Sequence, residues 1–177
     1  PDDLVLVSDV DEIPHPDALR QILSTRQGQN LIAKYPVAFA QRTFYYYVNS
    51  VYKRLVTGTV AILKKNLTEP EQMRTIRDRA PRIRDGGWHF TYLGGAERIL
   101  QKIESLGHGE KNVRSNLSAE FVQSCIESGS SSIHNAAGDQ YLFVQIDASF
   151  PADLPALIAK YPYLFRECDR YTAASLS

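Results

Sequence analysis

The stretch Leu4-Val5-Leu6-Val7-Ser8-Asp9-Val10-Asp11-Glu12-Ile13-Pro14 constrains the fold more than any other in the chain. Four apolar residues run directly into Asp9 and Asp11, spaced i, i+2, with Glu12 next and Pro14 closing the unit. A continuous apolar run of this kind reads as a strand buried on both faces, the pattern of a parallel sheet in an α/β domain. Such sheets bind ligands at the carboxyl ends of their strands. Side chains alternate along a strand, so Asp9 and Asp11 are expected on one side of it. Three crowded carboxylates repel one another unless positive charge sits among them, and a divalent cation carrying a phosphate ligand meets that need. The competing reading is a helix N-cap cluster in a surface turn. Pro1-Asp2-Asp3 leads into this strand with no room for an earlier βα unit, so the sequence reads as the later part of a longer chain.

At 177 residues the chain suits a single domain with its own core. Lys+Arg and Asp+Glu are both 20, and this balance argues against nucleic-acid binding, which draws on a basic excess. Cys125 and Cys168 are too few and too widely spaced for a disulfide framework or a zinc site. No apolar stretch reaches the roughly 20 residues of a membrane span, and no signal peptide is visible.

Periodicity and capping residues predict a helix over Pro16–Ser24, one or two strands over residues 31–48, and a strand over residues 55–63 broken at Gly58. A short helix is expected over residues 69–79, capped by Thr68 with Pro70 in its first turn. A strand over residues 88–93 ends at Gly94-Gly95. Helices are expected over residues 96–106, 118–128 and 154–160, a polar loop over 129–138, and a late strand over 141–146.

The second constellation is Gly86-Gly87-Trp88-His89-Phe90. Paired glycines permit close backbone approach or positive φ. Strand alternation turns His89 away from Trp88 and Phe90, where a neutral imidazole can complete a metal site or hydrogen-bond a diphosphate. A lone strand histidine is otherwise a structural residue. Glu97, in the first turn of a helix, suits either a general base or a complement to the helix dipole. Lys102, Glu104 and His108 read as a solvated face. Tyr45-Tyr46-Tyr47 can stack on a sugar ring or alternate between core and surface. Residues 64–84 hold seven basic and three acidic side chains, an excess that would steer an anion or merely line a solvent face. The sequons at Asn66 and Asn116 are expected at about chance frequency.

Taken together, residues 2–14, Gly58-Thr59, residues 86–99 and Lys102-Ile103-Glu104-Ser105-Leu106-Gly107-His108 resemble glycosyltransferase family 17, the family of the β-1,4-mannosyl-glycoprotein 4-β-N-acetylglucosaminyltransferases and their microbial relatives. The resemblance runs from residue 2 to about 165. It implies a GT-A-like mixed α/β sheet flanked by helices, without its first βα units, forming one catalytic-type domain over residues 1–177. It implies an inverting transfer of a sugar, N-acetylglucosamine from UDP-GlcNAc in the animal members, to a glycan hydroxyl. A divalent cation, Mn²⁺ or Mg²⁺, would be held by Asp11, Asp9 and His89. Asp9, Asp11, Glu12, His89 and Trp88 would bind the donor, and Glu97, with Asp85 second, would be the base. The absence of an anchor in this sequence favours a cytoplasmic microbial relative, or a Golgi-lumen enzyme if an anchor lies upstream. Two other classes share the opening motif. A haloacid-dehalogenase-type phosphohydrolase would use Asp9 as nucleophile and Asp11 as acid and base, although Ile13 stands where that family has Thr or Val. The other is a non-catalytic nucleotide- or glycan-binding fragment.

Overall fold

The computed structural model describes residues 2–105, 117–130 and 141–167. Leu106, His108, Asn116, Cys168 and residues 131–138 of the expected polar loop lie outside the described residues. The fold is mixed α/β. Its strands are β1 (Leu4–Val7), β2 (Glu12–Pro14), β3 (Val37–Tyr45), β4 (Ser50–Leu63), β5 (Arg82–Ile83), β6 (Gly87–Thr91) and β7 (Tyr141–Phe143). Its helices are α1 (Pro16–Ser24), α2 (Arg26–Lys34), α3 (Pro70–Ile76), α4 (Ala96–Ser105), α5 (Ala119–Ser128) and α6 (Leu154–Lys160). The strand order is β1-β4-β3-β6-β2, with β5 on β3 and β7 on β4. The β3/β5 pair is parallel, whereas β1/β4, β2/β6 and β4/β7 are antiparallel, so the sheet is mixed. The chain divides into two compact units, residues 1–43 with 54–89, and residues 44–53 with 90–177.

In the first unit, β1 runs antiparallel to β4, from Leu4 opposite Leu63 to Val7 opposite Val60. It stands at one end of the strand order, and Leu6 is exposed while its three neighbours are half-buried. The expectation of a parallel strand buried on both faces is therefore corrected. Among the described strands only one neighbour flanks β1, which leaves its other edge and part of its surface uncovered.

Helix α1 follows the expected span. Pro16 fits its first turn, and the His15 side chain caps it by accepting from the Asp17 N–H at 3.1 Å. Thr25 then ends α1 and caps α2, its hydroxyl accepting from the Gly28 N–H at 3.0 Å. Residues 31–34, expected to be extended, belong to α2 instead. Gly28 explains how the two helices meet: a Cβ there would lie 2.3 Å from the Gln21 carbonyl oxygen. Ile22 and Ile32 pack with Ala18, Val37, Phe39, Ala61 and Ile83 as the core of this unit.

Strand β4 passes through Gly58 without a break, correcting the expected interruption. Helix α3 starts at Pro70 with Glu69 at the cap position, while the Thr68 hydroxyl pairs with Gln72 at 2.7 Å rather than capping. Gly86 and Gly87 serve the sheet. A Cβ on Gly86 would meet Phe39 and Ala40 of β3 at 2.7–2.9 Å, and one on Gly87 (φ +127°) would lie 2.1 Å from the Ile13 carbonyl oxygen of β2.

In the second unit, Tyr46, Tyr92, Ile99, Ile103, Val122, Cys125, Ile126 and Tyr141 form the core. The Ser118 hydroxyl caps α5 by accepting from the Phe121 N–H at 3.2 Å, and Gly129 ends it at φ +64°. Phe121, expected on the apolar face of that helix, is exposed. The late strand is shorter than expected, residues 141–143. Tyr45 stacks between Tyr92 (5.7 Å, 13°) and Tyr141 (4.7 Å, 19°), so this tyrosine run builds the core. Lys102 is no solvated side chain: its ammonium donates to the Thr91 hydroxyl at 2.9 Å and lies 4.9 Å from the Tyr92 ring centroid. Cys125 is a buried free thiol whose pKa is pushed up by burial.

Candidate functional site

Asp9 and Asp11 sit in a turn, not on a strand. The Glu12 N–H donates to the Asp9 carbonyl at 3.0 Å, closing four residues between β1 and β2. Strand alternation no longer applies there, and the two carboxylates take different partners. This corrects the expectation that they project on the same side. Asp9 is held by arginines: one carboxylate oxygen bonds the Arg74 guanidinium, and the other lies 3.7 Å from Arg77. Asp11 instead faces His89, with Oδ1 3.4 Å from Nε2. His89 reaches this position because β2 pairs with β6 in the register Glu12 opposite His89. Its Nδ1 is buried and has no hydrogen-bond partner.

Glu12 is the chemically unusual member. Its side chain is 3% exposed, and it is the one buried carboxylate among the described residues. Burial pushes its pKa above the usual glutamate range; the Asp9 N–H, which donates to it at 3.0 Å, opposes that shift. The Asp9 charge adds to the rise, while His89 and Arg77, the latter 3.4 Å away, oppose it. The Ser8 hydroxyl lies 3.4 Å from the same carboxylate and 2.7 Å from the Thr59 hydroxyl, which also accepts from the Gln41 amide at 3.2 Å. Gly58 makes room for this network: a Cβ there would sit 1.8 Å from Gln41 Oε1 and 3.1 Å from Glu12 Cδ. Gln41 Oε1 is itself buried and unpartnered. A cavity of about 10 Å³ lies among Val7, Ser8, Asp9, Glu12, Gly58, Val60, Arg74 and Arg77, room for about one water.

The residues fit a cation only in part. Among the described residues no three His, Cys, Asp or Glu side chains gather as a group that could hold a metal ion. Asp11 and His89 offer two positions, enough for a cation that takes its other ligands from a diphosphate and water. Asp9 does not fit, because both of its oxygens face guanidinium groups.

The remaining expected residues fall elsewhere. Trp88 is buried, its ring 4.8 Å from that of His15, and points to the sheet face opposite His89. Asp85 is exposed at φ +51° just before Gly86. Glu97 belongs to the second unit, where it lines an open groove of about 490 Å³ with Gly94, Gly95, Ala96, Ala119, Glu120 and Gln123. Asn66 is exposed in a 3-10 turn, Lys64–Asn66. Arg74 and Arg77 belong to the basic excess over residues 64–84 that was weighed for steering an anion, but neither they nor Gln41 were singled out as members of the site. The i, i+3 spacing of the two arginines was their visible signal, as was a glutamine within the buried run of β3. Among the described residues no helix is long and apolar enough to cross a membrane. Comparison with family models, curated proteins and solved structures found no match.

Proposed function

We propose that the Asp9–Glu12 turn is the donor end of a metal-assisted inverting glycosyltransferase of GT-A-like fold. The reaction would move a sugar, N-acetylglucosamine from UDP-GlcNAc, to a glycan hydroxyl with a β-linkage. One observation carries the reading. A single turn brings two guanidinium groups (Arg74, Arg77) and an acid–imidazole pair (Asp11, His89) alongside one buried carboxyl, Glu12. This is a charge set suited to a cation together with a diphosphate.

Asp11 and His89 would hold Mn²⁺ or Mg²⁺, which when bound neutralises charge on the departing nucleoside diphosphate. Glu12 braces the turn from within, accepting the Asp9 N–H and orienting Arg77. Its burial keeps it from meeting an acceptor, and the base that takes the acceptor proton is what the resemblance alone implies, Glu97 first and Asp85 second. A positioned base of this kind contributes about 10²–10⁴ in rate. The resemblance of residues 2–14 and 86–99 to glycosyltransferase family 17 supports the donor class.

The test is calorimetric titration of the full chain with UDP and UDP-GlcNAc, with and without Mn²⁺. Mn²⁺-dependent binding that disappears in Asp11→Ala supports the reading. Absence of UDP binding, or brisk turnover of p-nitrophenyl phosphate, overturns it in favour of a phosphohydrolase or a non-catalytic binding fragment.

A further inference from the structure

We propose that Arg74 and Arg77 form an anion site that receives a phosphate or diphosphate in place of the Asp9 carboxylate, which occupies the two guanidinium groups when no ligand is bound. The inference rests on the transferase reading only for the identity of the anion as part of a nucleoside diphosphate. The phosphate chemistry itself rests on the arginines.

Arg74 lies in the last turn of α3 and Arg77 is its C-cap residue, and the i, i+3 spacing sets both on one face of the chain. The two converge on opposite oxygens of one carboxylate. A planar carboxylate between two guanidinium forks presents the same acceptor pattern as two oxygens of a phosphate. Arg77 is further oriented by Glu12 at 3.4 Å, and Arg74 has a second, exposed partner in Glu71 at 3.6 Å. The cavity beside them admits about one water, so an anion enters by exchange with Asp9 rather than by joining it. That exchange requires no unfolding, because the side chains of Asp9, Arg74 and Arg77 are 36%, 51% and 31% exposed.

Electrostatics sets the division of labour. A divalent cation at Asp9 would have to share that one carboxylate with two guanidinium groups of like charge. The cation therefore belongs with Asp11 and His89, and Asp9 is a competitor of the anion rather than a ligand of the metal.

Opposite signs make this testable. Inorganic pyrophosphate, UDP and UDP-GlcNAc are titrated against the wild-type chain of residues 1–177, Asp9→Asn and Arg74→Gln without metal, with folding checked by circular dichroism. Removing the competing charge in Asp9→Asn should tighten pyrophosphate by about 3- to 10-fold, and Arg74→Gln should weaken it about tenfold. Arg74→Gln is the chosen arginine variant because Arg77, the partner of buried Glu12, stays in place. Tighter pyrophosphate binding with no preference for UDP supports the anion site while removing the nucleotide from the transferase reading. Weaker or unchanged pyrophosphate binding in Asp9→Asn overturns the inference; the transferase reading would then stand or fall on the Mn²⁺ titration alone.

Discussion

Gly58→Ala gives the sharpest check on the network around Glu12. Gly58 does not need positive φ, so the substitution introduces no backbone strain, and its cost is steric alone. The new Cβ would lie 1.8 Å from Gln41 Oε1 and 2.8 Å from Gln41 Cδ. Gln41 is fully buried, and the neighbouring cavity of about 10 Å³ cannot take a displaced amide. Overpacking of this kind costs about 1–3 kcal/mol. Losing the Gln41–Thr59 hydrogen bond adds about 1 kcal/mol, and the favourable exchange of glycine for alanine in a strand returns about 0.5–1 kcal/mol. The net expectation is a destabilisation of about 1–3 kcal/mol. Urea denaturation reads it as a lowered midpoint at unchanged slope. The same substitution in a Gln41→Ala background should be neutral or slightly stabilising, giving a coupling of at least about 1 kcal/mol. Equal costs in both backgrounds, or wild-type stability in Gly58→Ala, would refute the placement of Gln41 against Gly58.

Two further outcomes follow from the same geometry. Burial raises the Glu12 pKa above the usual glutamate range, so the native state holds that proton more tightly than the unfolded chain. The stability this contributes is complete below the unfolded value and is lost as pH rises through the folded one. Melting temperatures of the wild type should therefore fall across that window, and those of Glu12→Gln should not; parallel profiles would remove the buried-acid assignment. Gly28→Ala places a Cβ 2.3 Å from the Gln21 carbonyl oxygen and 2.7 Å from Ile22 Cα, both backbone atoms. It should destabilise by about 2 kcal/mol despite alanine's helix propensity, seen as a lower urea midpoint, and a more stable variant would contradict the α1–α2 approach.

The parts of the chain that were legible in sequence are those written in local rules. Helices α1, α5 and α6 announce themselves through Pro16, Ser118 and Pro155 near their starts and through apolar spacing. Gly94 and Gly95, at φ +96° and +88°, mark the entry to α4 as expected, whereas β6 ends earlier than expected, at Thr91, followed by Tyr92 at φ +55°. Helix α2 was hidden because Gly28 and the β-branched Ile32 argue against a helix, and the reason for the glycine is a contact with α1 that no local pattern records. Strand β1 looked central because four apolar residues in a row do not reveal how many neighbours a strand has. At the site, the sequence grouped Asp9, Asp11, Glu12 and His89 as candidates, and the pairing of β2 with β6 brings Asp11 to His89. It could not show that a turn separates the two aspartates, because that depends on one backbone bond, Glu12 N–H to Asp9 carbonyl. Nor could it place Arg74 and Arg77, which arrive from a helix some 65 residues away in sequence.

Val10 stands fully exposed at the tip of that turn, between two residues whose side chains are both engaged. The turn is thus gripped at positions 9, 11 and 12 and released at 10. Chemical identity is demanded of its neighbours, while the residue at the apex is held to nothing beyond a compatible backbone. Sequence drift should accumulate at this one point in an otherwise constrained tetrapeptide. The same freedom makes the apex a place where a small reporter group can be attached within a few ångströms of Asp9 and Asp11 without removing either contact.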